Sequence, residues 1–243
     1  MRNAALALTV CLLLPAAHLF AQQDSTRAAA PSAEHFSAKQ AVVPALLITA
    51  GMAGINGEWM PEINEWGSHW AFSADDYLRF VPAAGFLGLE YLGAKAKHPL
   101  RERLAAGVTA FAVMSVATYG LKGIVSEQRP DGENHSSFPS GHTSFAFLGA
   151  ELVRSEYGGA YGWAAYGIAT GTALLRMANN KHWVNDVLAS AGIGILSAKV
   201  GMWLLPWERR LLGWNKNKQG NVAVVPFYEP TTKGFGGALA ITL

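Results

Sequence analysis

His182 and Asp186, four residues apart, are the pair in this sequence best placed for covalent chemistry. If the segment is helical, that spacing sets both side chains on one face. The carboxylate can then hold one ring N–H and leave the other nitrogen free to attack an electrophile. Arg176 precedes the pair with five residues between. A second cluster, Phe138-Pro139-Ser140-Gly141-His142-Thr143, opens an apolar stretch. Pro, Ser and Gly there are ordinary helix-start chemistry. His142 adds an imidazole to the hydroxyl and free backbone N–H groups of a helix start, which together are shaped for an anion. A third cluster is Lys122 followed, after six residues, by Arg129-Pro130. Taken singly, each cluster has a plain reading: a basic cap or orientation signal, a helix start, a surface ion pair. Taken together, polar groups repeated at the ends of apolar helices would be costly to bury without a purpose.

The elements that must position these residues are apolar. The chain has 243 residues, 51% hydrophobic and 15% charged, against roughly 25% charged in an average soluble domain. Extended apolar surface, and with it membrane contact, is the expectation. Apolar stretches at 41–55, 77–93, 104–125, 143–153, 161–177 and 187–205 are each bounded by Gly, Pro, Asn or charge, which predicts an all-α fold of six helices. The stretches 104–125 and 187–205 approach the roughly 20 residues that cross a bilayer. Gly167, Gly171, Gly192 and Gly194 are positions where helices can approach closely. From Asn221 the pattern changes to two alternating runs around Glu-Pro-Thr-Thr-Lys-Gly, which predicts a terminal β-hairpin. The expected organisation is a signal peptide or N-terminal anchor at 1–21, a flexible linker at 22–40, the helical domain at 41–205 and a tail at 206–243.

The three clusters together resemble the type 2 phosphatidic acid phosphatase and haloperoxidase superfamily, with its signature Lys-x6-Arg-Pro, Pro-Ser-Gly-His and Ser-Arg-x5-His-x3-Asp. Every spacing within the clusters, and their order, matches over residues 122–186. One residue departs: Leu175 stands where the family has Ser, which puts fine substrate preference in doubt more than activity. The resemblance implies a membrane-embedded six-helix bundle and a metal-independent phosphoric-ester hydrolase. It further implies that Lys122, Arg129 and Arg176 neutralise the phosphate oxygens, with Ser140 and the Gly141 N–H adding hydrogen bonds. His182 would attack phosphorus to give a phosphohistidine, Asp186 would orient it, and His142 would protonate the leaving alkoxide. Three cations stand where other phosphatases place metal ions, so no metal and no cofactor is expected.

Two other readings remain open. A vanadium-dependent haloperoxidase would use a similar pocket to hold vanadate, and a non-catalytic membrane protein would account for the helices but not for the matched clusters. The substrate class is a lipid phosphate or a small phosphoester, with membrane lipids as surroundings. A formal charge of +2 and scattered basic residues exclude a nucleic-acid partner. The N-terminus has the order of an export signal: Arg2, the apolar run Ala4–Phe20, then Ala21 before Gln22. The single cysteine, Cys11, lies inside that run, so no disulfide framework is expected. Basic residues at Lys95, Lys97, Arg101, Arg103, Arg154, Arg209, Arg210, Lys216 and Lys218 lie at helix ends opposite the clusters. By the positive-inside rule they place the site toward the periplasm of a bacterial inner membrane. A periplasmic, membrane-associated bundle is the alternative. His18, His69 and His98 show no partner at a catalytic spacing, and His135 is read as exposed.

Overall fold

The computed structural model describes residues 37–55, 57, 73–214, 221–229 and 234–242. The N-terminal segment at 1–21, most of the linker and the turn of the hairpin lie outside the described residues. The helices are α1 (Ala38–Ala53), α2 (Asp75–Leu78), α3 (Val81–Gly88), α4 (Leu100–Ile124), α5 (Gly141–Tyr157), α6 (Gly159–Ala178) and α7 (Val184–Leu211). A 3-10 turn, Leu89–Leu92, follows α3. Five of the six expected stretches form single helices, and the fold is the all-α bundle expected.

The stretch 77–93 instead breaks into pieces. Pro82 sits in the first turn of α3, where its missing N–H costs nothing and a new helix starts readily. Gly93, at φ 93°, ends the 3-10 turn. The last helix also runs on past 205, through Pro206, to Leu211.

Gly158 makes the tight link between α5 and α6. Its φ of 91° is open to glycine and strained for other residues, and its N–H caps the Arg154 carbonyl. Of the four glycines expected at helix contacts, Gly192 and Gly194 lie at them. A Cβ on Gly192 would collide with the Pro44 carbonyl and Ile48 of α1, and one on Gly194 with the Ser144 carbonyl and Leu148 of α5. Gly167 and Gly171 would meet nothing.

Helices α4 and α7 are long and apolar enough to cross a membrane, and they differ in surroundings. In the most apolar window of α7, 72% is buried, whereas in α4 only 22% is. The buried face of α4 is the narrow stripe Ala106, Ala110, Met114 and Thr118. Its other face presents Val108, Phe111, Val116, Tyr119 and Ile124 outward. An apolar face of that length, left unpacked, suits lipid better than water.

A separate unit, Leu204–Leu243, contains the antiparallel hairpin β1 (Asn221–Glu229) and β2 (Gly234–Thr242). This is the hairpin that the alternating pattern predicts.

Candidate active site

Antiparallel α4, α5, α6 and α7 bring to one end the C-terminus of α4, the N-terminus of α5, the C-terminus of α6 and the N-terminus of α7. Lys122, Ser140 to His142, Arg176, and His182 with Asp186 occupy those four ends.

Helix α7 starts at Val184, so His182 lies just before the helix rather than within it. The pair forms all the same, because Asp186 in the first turn reaches back. One carboxylate oxygen, Oδ2, accepts from His182 Nδ1 at 3.2 Å, the Trp183 backbone N–H at 2.8 Å and Ser137 Oγ at 2.5 Å. A carboxylate at a helix N-terminus is also favoured by the helix dipole. An ionised Asp186 can only accept, so Nδ1 carries the proton and Nε2 keeps its lone pair. His182 is 2% exposed and Asp186 fully buried. Asp186 Oδ1 has no hydrogen-bond partner among the described residues.

Burial is the first cause holding the His182 pKa well below the ordinary 6.5, followed by the cations of Arg176, Lys122 and Arg129. The ring is therefore neutral at physiological pH.

The cations are held from behind. Lys122 Nζ donates to the Ser136 carbonyl at 2.6 Å and the Ser137 carbonyl at 3.3 Å. Arg129 sits in a loop tied by its own N–H to the Asn134 carbonyl, by Asp131 N–H to the Asn180 carbonyl and by Ser137 N–H to the Glu127 carbonyl. Asn185 of α7 donates to both Glu127 oxygens at 2.9 and 3.2 Å, and Trp183 Nε1 to the Gln128 carbonyl. Arg176 Nη1 pairs with Asp75 Oδ2 at 2.7 Å. The Nε atoms of Arg129 and Arg176 are buried without a partner among the described residues. Buried donors in that state call for an acceptor.

Ser140 is fully buried and caps α5, accepting from Thr143 N at 3.4 Å and Thr143 Oγ1 at 3.1 Å. Its hydroxyl proton remains available to a ligand. Gly141 is the first residue of α5, so its N–H has no intrahelical acceptor. His142 Nε2 lies 2.8 Å from Asp76 Oδ1. Burial and then Arg176 lower the His142 pKa from 6.5, and the hydrogen bond with Asp76 opposes them. His135 is exposed.

Three residues at this end carry no signal in the motifs. Asp75, buried, takes Arg176 and, on its other oxygen, Asn179 Nδ2 at 3.1 Å. Asp76 takes His142, and Ser137 takes Asp186. Asp75, Asp76 and His142 bring possible ligand atoms within 4.8 Å of one another. Their facing atoms are already matched, Asp75 to Arg176 and Asn179 and Asp76 to His142, and Arg176 adds positive charge beside them.

Comparison with known proteins adds three findings. The model of the PAP2 superfamily matches residues 103–210, which include all three clusters. The lipid A 1-phosphatase of Porphyromonas gingivalis is 34% identical over 134 residues, covering 54% of this chain and 30% of that protein. The chain thus matches less than a third of that relative's length. A solved structure, that of Aquifex aeolicus LpxE, aligns with a TM-score of 0.45 at 18% identity, covering 58% of this chain and 92% of that one.

Proposed function

We propose that the helical segment of this chain, whose residues 103–210 match the model of the PAP2 superfamily, is a metal-independent phosphatase acting through a phosphohistidine on His182. One observation carries the reading: a buried, neutral histidine whose Nδ1–H is held by Asp186 and whose ring feels the charges of Arg176, Lys122 and Arg129. Nε2 attacks phosphorus, the bond to the ester oxygen breaks, and its electron pair leaves with that oxygen. His142 supplies the proton to the leaving alkoxide. The three cations, with the Ser140 hydroxyl and the Gly141 N–H, take the charge that builds on the equatorial oxygens. Asp186 balances the positive charge on the phosphorylated ring. Water then attacks phosphorus, giving its proton to the now neutral His142; the P–N bond breaks and restores His182.

The substrate class we infer is a phosphate monoester or diphosphate on a lipid, given the apolar face of α4 and a relative that bears the name lipid A 1-phosphatase. Phosphate release should be assayed with phosphatidic acid, a lipid A phosphate and a soluble alkyl phosphate, each with and without chelator. Release that survives chelation and is inhibited by vanadate is expected. Loss on chelation, restored by a divalent ion, contradicts the metal-free reading. Halide oxidation with added vanadate would favour the haloperoxidase reading instead.

We further propose that the site faces the periplasm. With Cys11→Ser as background, single cysteines at His135, in the loop between α4 and α5, and at Tyr161, near the start of α6, test this. Both positions are exposed. A membrane-impermeant thiol reagent should reach His135→Cys from the periplasmic side only. Labelling from the cytoplasmic side only would reverse the orientation, and labelling of both cysteines from the periplasm would make the bundle peripheral.

A further inference from the structure

The motif clusters supply His142 but nothing to hold it. Its ring sits at the first turn of α5, and its Nε2 meets Asp76 Oδ1 at 2.8 Å, across 66 residues of sequence. Asp76 comes from α2, a one-turn helix of four residues that lies outside all three clusters in sequence. Its neighbour Asp75 anchors that turn by pairing with Arg176 and Asn179. One short acidic turn thus reaches both a clamp arginine and the histidine that must give up a proton.

We infer that Asp76 is the positioning residue for His142, fixing its ring by a charge-assisted hydrogen bond and favouring its proton-bearing form when the leaving group needs it. The inference rests on the general-acid reading of His142 above. The pair at Nε2 leaves Nδ1 as the nitrogen that faces the leaving oxygen, and both nitrogens carry protons in the acid form. When the alkoxide takes the Nδ1 proton, the ring becomes neutral and Asp76 keeps the Nε2–H.

The charged and titratable groups around His142 come from three elements. Asp76 and Asp75 of α2, with Arg79 just after it, face it from one side, Arg176 of α6 from another, and His182 from the loop before α7. Burial, Arg176 and Arg79 work against the protonated ring, and Asp76 works for it. A bound phosphate would offset the cations, but among the described residues it is Asp76 that hydrogen-bonds the ring itself. Asp76 in turn has its carboxyl lowered, chiefly by that hydrogen bond.

The test compares Asp76→Asn, Asp76→Glu and His142→Ala on an alkyl phosphate and on p-nitrophenyl phosphate, whose leaving group needs no proton. Asn keeps an acceptor but removes the charge. For Asp76→Asn the expected result is a loss of about 10- to 100-fold in kcat/KM on the alkyl ester. Little loss is expected on the aryl ester, with the alkaline limb of the alkyl profile moved to lower pH. Asp76→Glu should recover part of the loss. The double variant Asp76→Asn/His142→Ala should be no slower than His142→Ala alone. Equal loss on both esters, an unmoved alkaline limb, or additive effects in the double variant would overturn the role of Asp76. If His142→Ala itself is insensitive to the leaving group, the general-acid reading fails and the role of Asp76 with it. Sensitivity in His142→Ala without any in Asp76→Asn removes only Asp76.

Discussion

Among the described residues the bundle holds two buried histidine–carboxylate pairs, one at each end. His182 Nδ1 lies 3.2 Å from Asp186, and His98 Nδ1 lies 2.7 Å from Glu156, with all four side chains at most 5% exposed. The chemistry of the pair is the same, so the pair alone does not make a nucleophile. What differs is the rest of the surroundings. Glu156 also accepts the His98 backbone N–H at 2.5 Å, which pins the segment before α4 to the end of α5. The cations nearby in sequence are committed to structure: Lys97 to the Ser155 carbonyl, and Arg103 to the Phe86 and Leu87 carbonyls, the Tyr157 hydroxyl and Glu90. At the other end Lys122, Arg129 and Arg176 bear on the ring of His182 itself. Arg129 and Arg176 keep a buried Nε without a partner among the described residues, as Arg103 does at the other end, so that feature does not separate the two. Cations at both ends have protein partners, Arg176 with Asp75 and Arg129 with Glu133 included; what marks the His182 end is that three of them also bear on the histidine ring.

The sharpest way to break this contrast is to remove each histidine in turn. His182→Asn should lower phosphate release by on the order of 10⁴-fold or more, as removal of a nucleophile does, and also lower thermal stability, because Asp186 stays buried beside a weaker partner. His98→Asn should keep activity within a few-fold, yet destabilise the fold by about 3–5 kcal/mol, because Glu156 is left buried beside a weaker partner. An inactive but stable His98→Asn would show that the two ends are not separate in function.

A smaller effect is expected at the clamp. Arg176→Lys keeps a positive charge but loses the planar fork that pairs with Asp75 and that the proposed mechanism uses to hold a phosphate. A loss of about 10²- to 10³-fold in kcat is expected from the missing donor. Full activity in that variant would mean the guanidinium geometry is not used.

The smallest effect is a displacement along the pH axis. The acid limb of kcat/KM reports protonation of His182 in the free enzyme. Because burial and three cations lower that pKa, the limb should lie below pH 6.5. Arg129→Gln removes one cation, so the pKa rises and the limb moves to higher pH, shrinking the active range from the acid side. A shift to lower pH would contradict the assignment of the limb to His182.

Much of this was legible in the sequence because its signals are local. His182 and Asp186 are four residues apart, and the apolar runs that became α4 to α7 are continuous. Gly192 and Gly194 read as points of close approach, and the alternating tail as a hairpin. Where partners are distant, the sequence is silent. Asp75 meets Arg176 across 101 residues and Ser137 meets Asp186 across 49, and neither spacing has a period that could announce it. His98 likewise reads as unpartnered, since Glu156 lies 58 residues on. The break in 77–93 was hidden because Pro82 and Gly93 each fit an ordinary helix boundary, while the apolar composition runs on between them. Several basic residues read as orientation signals are structural as well: Arg103 is 1% exposed, and Arg154 pairs with the buried Glu151.

The central claim, that His182 forms the covalent intermediate, is tested most directly by trapping it. The protein should be mixed with a lipid phosphate carrying radioactive phosphorus and quenched within a turnover. The bound label should be acid-labile and alkali-stable, as a phosphoramidate is, and should map to the peptide containing His182. It should be absent from His182→Asn and present in Asp76→Asn. Steady turnover with no protein-bound label at any quench time, or a label that persists in His182→Asn, would contradict the account.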